Sequence, residues 1–161
     1  MTTGETPSPT RLPIARIAAI VVVAALALGR TDANALFIVN QPWIKPGVKA
    51  AEAYMVLAST EGATLLGARS PVAAQARLYG PGPGGDCARA VLALPAGIEV
   101  ALRPAATRIV LSGLAHVLRL GERVPLTLTI ETASSGRQEI LVDAEVRKES
   151  PLDAERRAHR H

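Results

Sequence analysis

An all-β domain of the sandwich or barrel type, preceded by an apolar N-terminal segment, is what this sequence predicts. Three observations carry that reading. Beyond Leu36 the chain runs in short stretches rich in Val, Leu, Ile and Thr, punctuated by Gly, Pro and Ser, which is strand-and-turn spacing and not the longer pattern of helices. Its clearest stretches alternate: Val124, Leu126, Leu128 and Ile130 against Pro125, Thr127, Thr129 and Glu131, then Ile140, Val142, Ala144 and Val146 against Leu141, Asp143 and Glu145. Hydrophobic residues form 48% of the 161 and aromatic ones only 2%, so the core has to be aliphatic. That length suits one domain with short extensions.

The N-terminal segment comes first. Residues 1–13 are polar and Pro-rich, and Arg16 then precedes an uncharged run from Ile17 to Gly29. Such a run is shorter than the ~20 residues that cross a bilayer as a helix and falls within the ~7–15 of a secretory h-region. Small residues Ala33-Asn34-Ala35 follow, so residues 1–35 read as a signal peptide with an apolar helix, cleaved after Ala35; an uncleaved signal anchor is the alternative. The expected localisation is export to a periplasmic or extracellular space, with membrane attachment only through this segment. No cysteine follows the run, so a lipid tether is not expected.

Residues 36–146 supply the strands. Phe37 to Asn40 and Trp43-Ile44 read as a first extended stretch interrupted by Pro42, and Ala53 to Ala58 as a second. Residues 63–68 and Val72 to Tyr79 continue the series. Gly80-Pro81-Gly82-Pro83-Gly84-Gly85 reads as a loop, because proline lacks the ladder donor and glycine has excess backbone freedom. Cys87 to Leu94 and Ile98 to Leu102 are joined hairpin-fashion by Pro95-Ala96-Gly97; Thr107 to Leu114 and His116 to Leu120 precede the two alternating strands. Residues 147–161 form a charged tail, in which Ser150-Pro151 and Asp153 offer a helix start.

Charge and residue chemistry exclude several functions. The formal net charge is +4, yet residues 36–146 hold ten Lys and Arg against nine Asp and Glu, so the excess lies in the two ends. A domain with Phe37, Trp43, Tyr54 and Tyr79 as its aromatics offers no stacking platform, and no nucleic-acid partner is expected. The Gly/Pro run lacks the Lys-Ser/Thr of a phosphate loop. A hydrolytic triad needs a histidine beside its nucleophile, and the domain offers only His116, so the protein is not read as an enzyme. The single cysteine, Cys87, forms no internal disulfide; Met55 and Trp43 read as core residues.

Six short motifs occur in an order that resembles the periplasmic copper chaperones of the PCu(A)C family. They are Gln41-Pro42-Trp43-Ile44, Ala53-Tyr54-Met55-Val56-Leu57, Ser70-Pro71-Val72-Ala73, Leu92 to Gly97, Leu111-Ser112-Gly113-Leu114, and Gly121 to Thr129. The resemblance covers about residues 38–146. It implies a cupredoxin-like β-sandwich or barrel that carries Cu(I) toward cytochrome oxidase, which makes copper the one candidate cofactor. It also implies a partner among envelope proteins of copper delivery or oxidase assembly.

The same resemblance implies a copper site of His and Met residues, soft and imidazole donors that suit Cu(I). Those positions here hold Tyr79, Pro81, Cys87, Arg108 and Val110. Cys87 falls at the family's middle Met once one residue is deleted, and Arg108 places a fixed cation where a ligand stood. His159 and His161 in the tail are weak alternative ligands beside Cys87. The leading expectation is an exported binding or accessory module with its copper site largely lost. The alternatives are a working chaperone that uses Cys87 or the tail histidines, and a purely structural exported domain.

Overall fold

The computed structural model describes residues 35–160. The helix, the cleavage point and the anchor alternative expected of residues 1–35 lie outside them, apart from Ala35 itself, and so does His161. Ten strands and one helix follow in order: β1 (Phe37–Lys45), β2 (Ala50–Ser59), β3 (Ala63–Arg69), β4 (Ala73–Gly82), β5 (Gly85–Arg89), β6 (Leu92–Leu94), β7 (Val100–Leu102), β8 (Arg108–Leu114), β9 (Arg123–Thr132), β10 (Gly136–Val146) and α1 (Pro151–Ala158). Among the described residues no helix is long and apolar enough to cross a membrane.

All ten strands belong to one sheet, ordered β5-β4-β8-β2-β1-β10-β9-β3-β6, with β7 paired to β2. Strand β1 is the bridge: it runs antiparallel to β2 and parallel to β10. Its register shifts between Asn40 and Trp43, where Gln41 takes φ 50°. This bulge absorbs Pro42, so the two stretches read from the sequence are one bent strand. Side chains from both halves of the sheet then meet in a single cluster, with Met55, Ile109 and Leu111 against Leu65, Leu126, Leu128, Ile130 and Val142. Each such side chain, fully buried, contributes about 1.5–3 kcal/mol. The sheet path ends at β5 and β6, so the two halves close as a sandwich with free edges and not as a barrel.

Strands β9 and β10 pair in unbroken register from Arg123↔Glu145 to Thr132↔Gly136, as the alternation in the sequence predicts. Three expectations are corrected. The Gly/Pro run is not a free loop: Gly80, Pro81 and Gly82 end β4 and pair with Cys87, Asp86 and Gly85 of β5. Counting from the closing pair Gly82↔Gly85, Pro81 occupies a non-hydrogen-bonded position, so its missing donor costs the ladder nothing. Pro95-Ala96-Gly97 does not close a hairpin, because β6 pairs with β3 and β7 with β2. The connection carries the chain from one half to the other, held by the Gly97 N–H donating to the Ser59 carbonyl at 2.8 Å.

His116 to Leu120 is loop and not strand. Leu118 alone turns into the core, at 4% exposure. Glu122 holds the loop by accepting from the Arg119 N–H at 2.9 Å and meeting His116 Nε2 at 2.6 Å. These bonds, the backbone one first, lower the Glu122 pKa. The tail forms α1, whose proline lies in the first turn beside Asp153 while Arg156 and Arg157 occupy the last, the charge order that suits a helix dipole.

Candidate functional site

The alternation of an extended strand decides which of the sequence-predicted residues share a face. Tyr79 of β4 lies opposite Arg108 of β8 and Ala88 of β5, and Arg77 lies opposite Val110. Tyr79, Pro81, Arg108 and Val110 therefore project from one face at one end of the sheet, the face turned away from the core. Cys87 pairs with Gly80 and stands on the other face, the one that carries Leu78 into the core. It lies beyond the core's rim as an exposed thiol, close to the space a side chain at Gly82 would need. The residue of β5 opposite Pro81, on this same face, is Asp86.

Arg108 organises this face. Its Nε donates to Glu52 Oε1 of β2 at 2.8 Å, its Nη2 donates to Asp86 Oδ2, and its Nη1 donates to the Ala106 carbonyl at 3.3 Å. The side chain is only 12% exposed. Asp86, whose bond to Arg108 is the main cause, is held below the usual carboxylate range, and the same bond raises the Arg108 pKa. The fixed cation read from the sequence is thus paired with two carboxylates.

Glu52 extends the network inward. Its Oε2 accepts from the Tyr54 hydroxyl, and Tyr54 is 1% exposed. Burial first, then the bond to Glu52, pushes the Tyr54 pKa well above the ordinary tyrosine value. The Tyr54 ring meets Trp43 with centroids 4.7 Å apart and planes at 37°. Trp43 is buried as expected, but it and Tyr54 lie apart from the aliphatic cluster. A line of contacts therefore runs from Trp43 and Tyr54 through Glu52 and Arg108 to Asp86, tying β1, β2, β8 and β5.

Met55 sits in the aliphatic core, at 2% exposure. His116 is paired in its loop, and His159 follows α1 as an exposed residue. Among the described residues no three His, Cys, Asp or Glu side chains gather as a metal-holding group. Sequence reasoning missed Glu52, Tyr54 and Asp86 as parts of this site. A charged residue inside the otherwise apolar run Ala50 to Ser59 was a signal for Glu52; nothing local marked Asp86.

A family model described as "Putative lipoprotein LpqE-like" matches residues 36–144. The chain belongs to the LpqE-like family. Solved structures share its fold. An apo PCuAC domain from PmoF1 is 19% identical with a TM-score of 0.59, covering 70% of this chain and 94% of that one. A copper-bound PCuAC domain from PmoF2 is 19% identical with a TM-score of 0.58, covering 71% and 93%. The Cu(I) form of DR1885 from Deinococcus radiodurans is 29% identical with a TM-score of 0.56, covering 73% and 83%. A search of curated protein sequences returns no match. The PCu(A)C resemblance read from the sequence is borne out, and the LpqE-like chain carries its one cysteine in β5.

Proposed function

We propose that this LpqE-like protein is an exported, non-enzymatic binding or accessory module whose copper site has been replaced by an ion-pair network. The observation that carries this reading is Arg108, seated at a family ligand position and held there by Glu52 and Asp86. The copper carried by its structural relatives needs soft or imidazole donors. Tyr79, Pro81, Arg108 and Val110 supply none, and the one nearby sulfur, Cys87, stands on the opposite face. These residues do not fit Cu(I).

Removing Arg108 would not by itself recreate a site, since two carboxylates would be left facing a phenol. Recognition of another envelope protein, in copper delivery or oxidase assembly, is the role that the family membership and the retained fold support. The export reading rests on the leader, Ile17 to Gly29.

Competitive titration of the full chain against a Cu(I) chelator tests the proposal. The expected result is binding at least a hundredfold weaker than that of a variant carrying Tyr79→His, Arg108→His and Val110→Met. Tight one-to-one binding by the unaltered chain overturns it. Loss of that binding in Cys87→Ser would then assign copper to the thiol and establish the working-chaperone alternative.

A further inference from the structure

A cleft of about 240 Å³ lies between α1 and the surface built by β1, β2 and β7, at the Trp43 end of the Arg108 network. Its floor is apolar, made by Trp43, Val56, Ala101 and Pro104 above the core residues Met55 and Leu102, and Leu152 of α1 closes one side. Two arginines stand at its mouth. Arg103 comes from a tight turn, fixed by its N–H donating to the Thr107 carbonyl at 3.0 Å and its carbonyl accepting from Ala106 N–H at 3.1 Å. Arg156 comes from α1, one turn after Leu152 on the same helix face.

Neither arginine makes an ion pair with a described residue, whereas Arg147 and Arg157 nearby are paired with Glu145 and Glu149. Asp153 also reaches the cleft, so the mouth carries one net positive charge. Small-ligand sites typically combine an apolar lining with a few converging polar groups. The volume corresponds to roughly eight water molecules at about 30 Å³ each, which suits a chain of roughly as many carbon atoms.

We propose that this cleft binds a small amphipathic monocarboxylate, its aliphatic body on Trp43, Val56 and Pro104 and its carboxylate between Arg103 and Arg156. Guanidinium groups favour this head group because they present paired N–H donors that match carboxylate geometry. Helix α1 buries none of its own residues, so it can yield to admit the chain.

Trp43 is the only tryptophan, so its emission reports the cleft directly. Full-length protein is titrated with octanoate, octanol and octylamine, with equilibrium dialysis for affinity and Trp43 emission for location. Saturable octanoate binding with a change in Trp43 emission is expected, with octanol weaker by at least fivefold and octylamine weaker still. Arg103→Gln combined with Arg156→Gln should abolish the preference for octanoate over octanol, and Asp153→Asn should tighten octanoate. No saturable octanoate binding, equal affinity for octanoate and octylamine, or an unchanged preference in the double arginine variant overturns the proposal.

Discussion

Strand β2 is buried along its inner face and half-buried along its outer one, and the two faces are built on different principles. The inner face presents Ala51, Ala53, Met55 and Leu57, all within the aliphatic cluster. The outer face presents Glu52 and Tyr54, joined to Arg108, Asp86 and Trp43 by directed contacts. Aliphatic burial is non-directional, and many sequences satisfy it provided volume and pattern are kept. A directed network tolerates fewer substitutions, because deleting Glu52 leaves the buried Tyr54 hydroxyl and the nearly buried Arg108 guanidinium short of a partner. The inner face therefore specifies that the chain folds, and the outer face specifies what this end of the sheet presents.

The contrast can be broken most severely from the inside. Leu128→Ala, at a position with 0% exposure on β9, should destabilise the protein by about 2–5 kcal/mol in a urea melt, through lost transfer energy and the cavity left behind. On the outer face, Arg108→Leu should cost about 1–2 kcal/mol, because Glu52 and Asp86, partly exposed, exchange charge-assisted hydrogen bonds for water. Combining it with Glu52→Gln should recover part of that loss; a strictly additive double variant would show that the two groups do not cooperate.

The pH dependence sharpens the comparison further. Asp86 has its pKa lowered in the fold, so its contribution is present above the unfolded value of about 3.9 and disappears as pH falls through the folded one. The difference in stability between the natural chain and Asp86→Asn should therefore close below about pH 4. Tyr54 has its pKa raised, so its contribution is present below the unfolded value of about 10 and is lost as pH rises toward the folded one. In a Tyr79→Phe background, phenolate absorbance should appear only together with alkaline unfolding; early ionisation would show that Tyr54 is not sealed under this network.

The smallest effect belongs to the exposed surface. Arg69 and Glu139 are 66% and 54% exposed, so Arg69→Gln should change stability by no more than about 1 kcal/mol.

The core was readable because burial imposes a period of two on each strand, and Val124 to Ile130 and Val142 to Val146 keep it. The order of the family motifs located the fold as well. The positions that the resemblance assigns to copper ligands could be listed from the sequence, but their facing could not. A one-residue offset moves a side chain across the sheet, which is how Cys87 and Asp86 exchange places.

By itself the sequence determined an all-β fold with an aliphatic core, since alternation and composition are local properties of the chain. The tertiary structure alone decided that Arg108 is a paired cation and that Pro81 lies in a ladder. It alone brought α1, Trp43 and Arg103 to one cleft. Each of these depends on strands distant in sequence meeting in a particular register, and no local pattern encodes which partner a polar side chain will find.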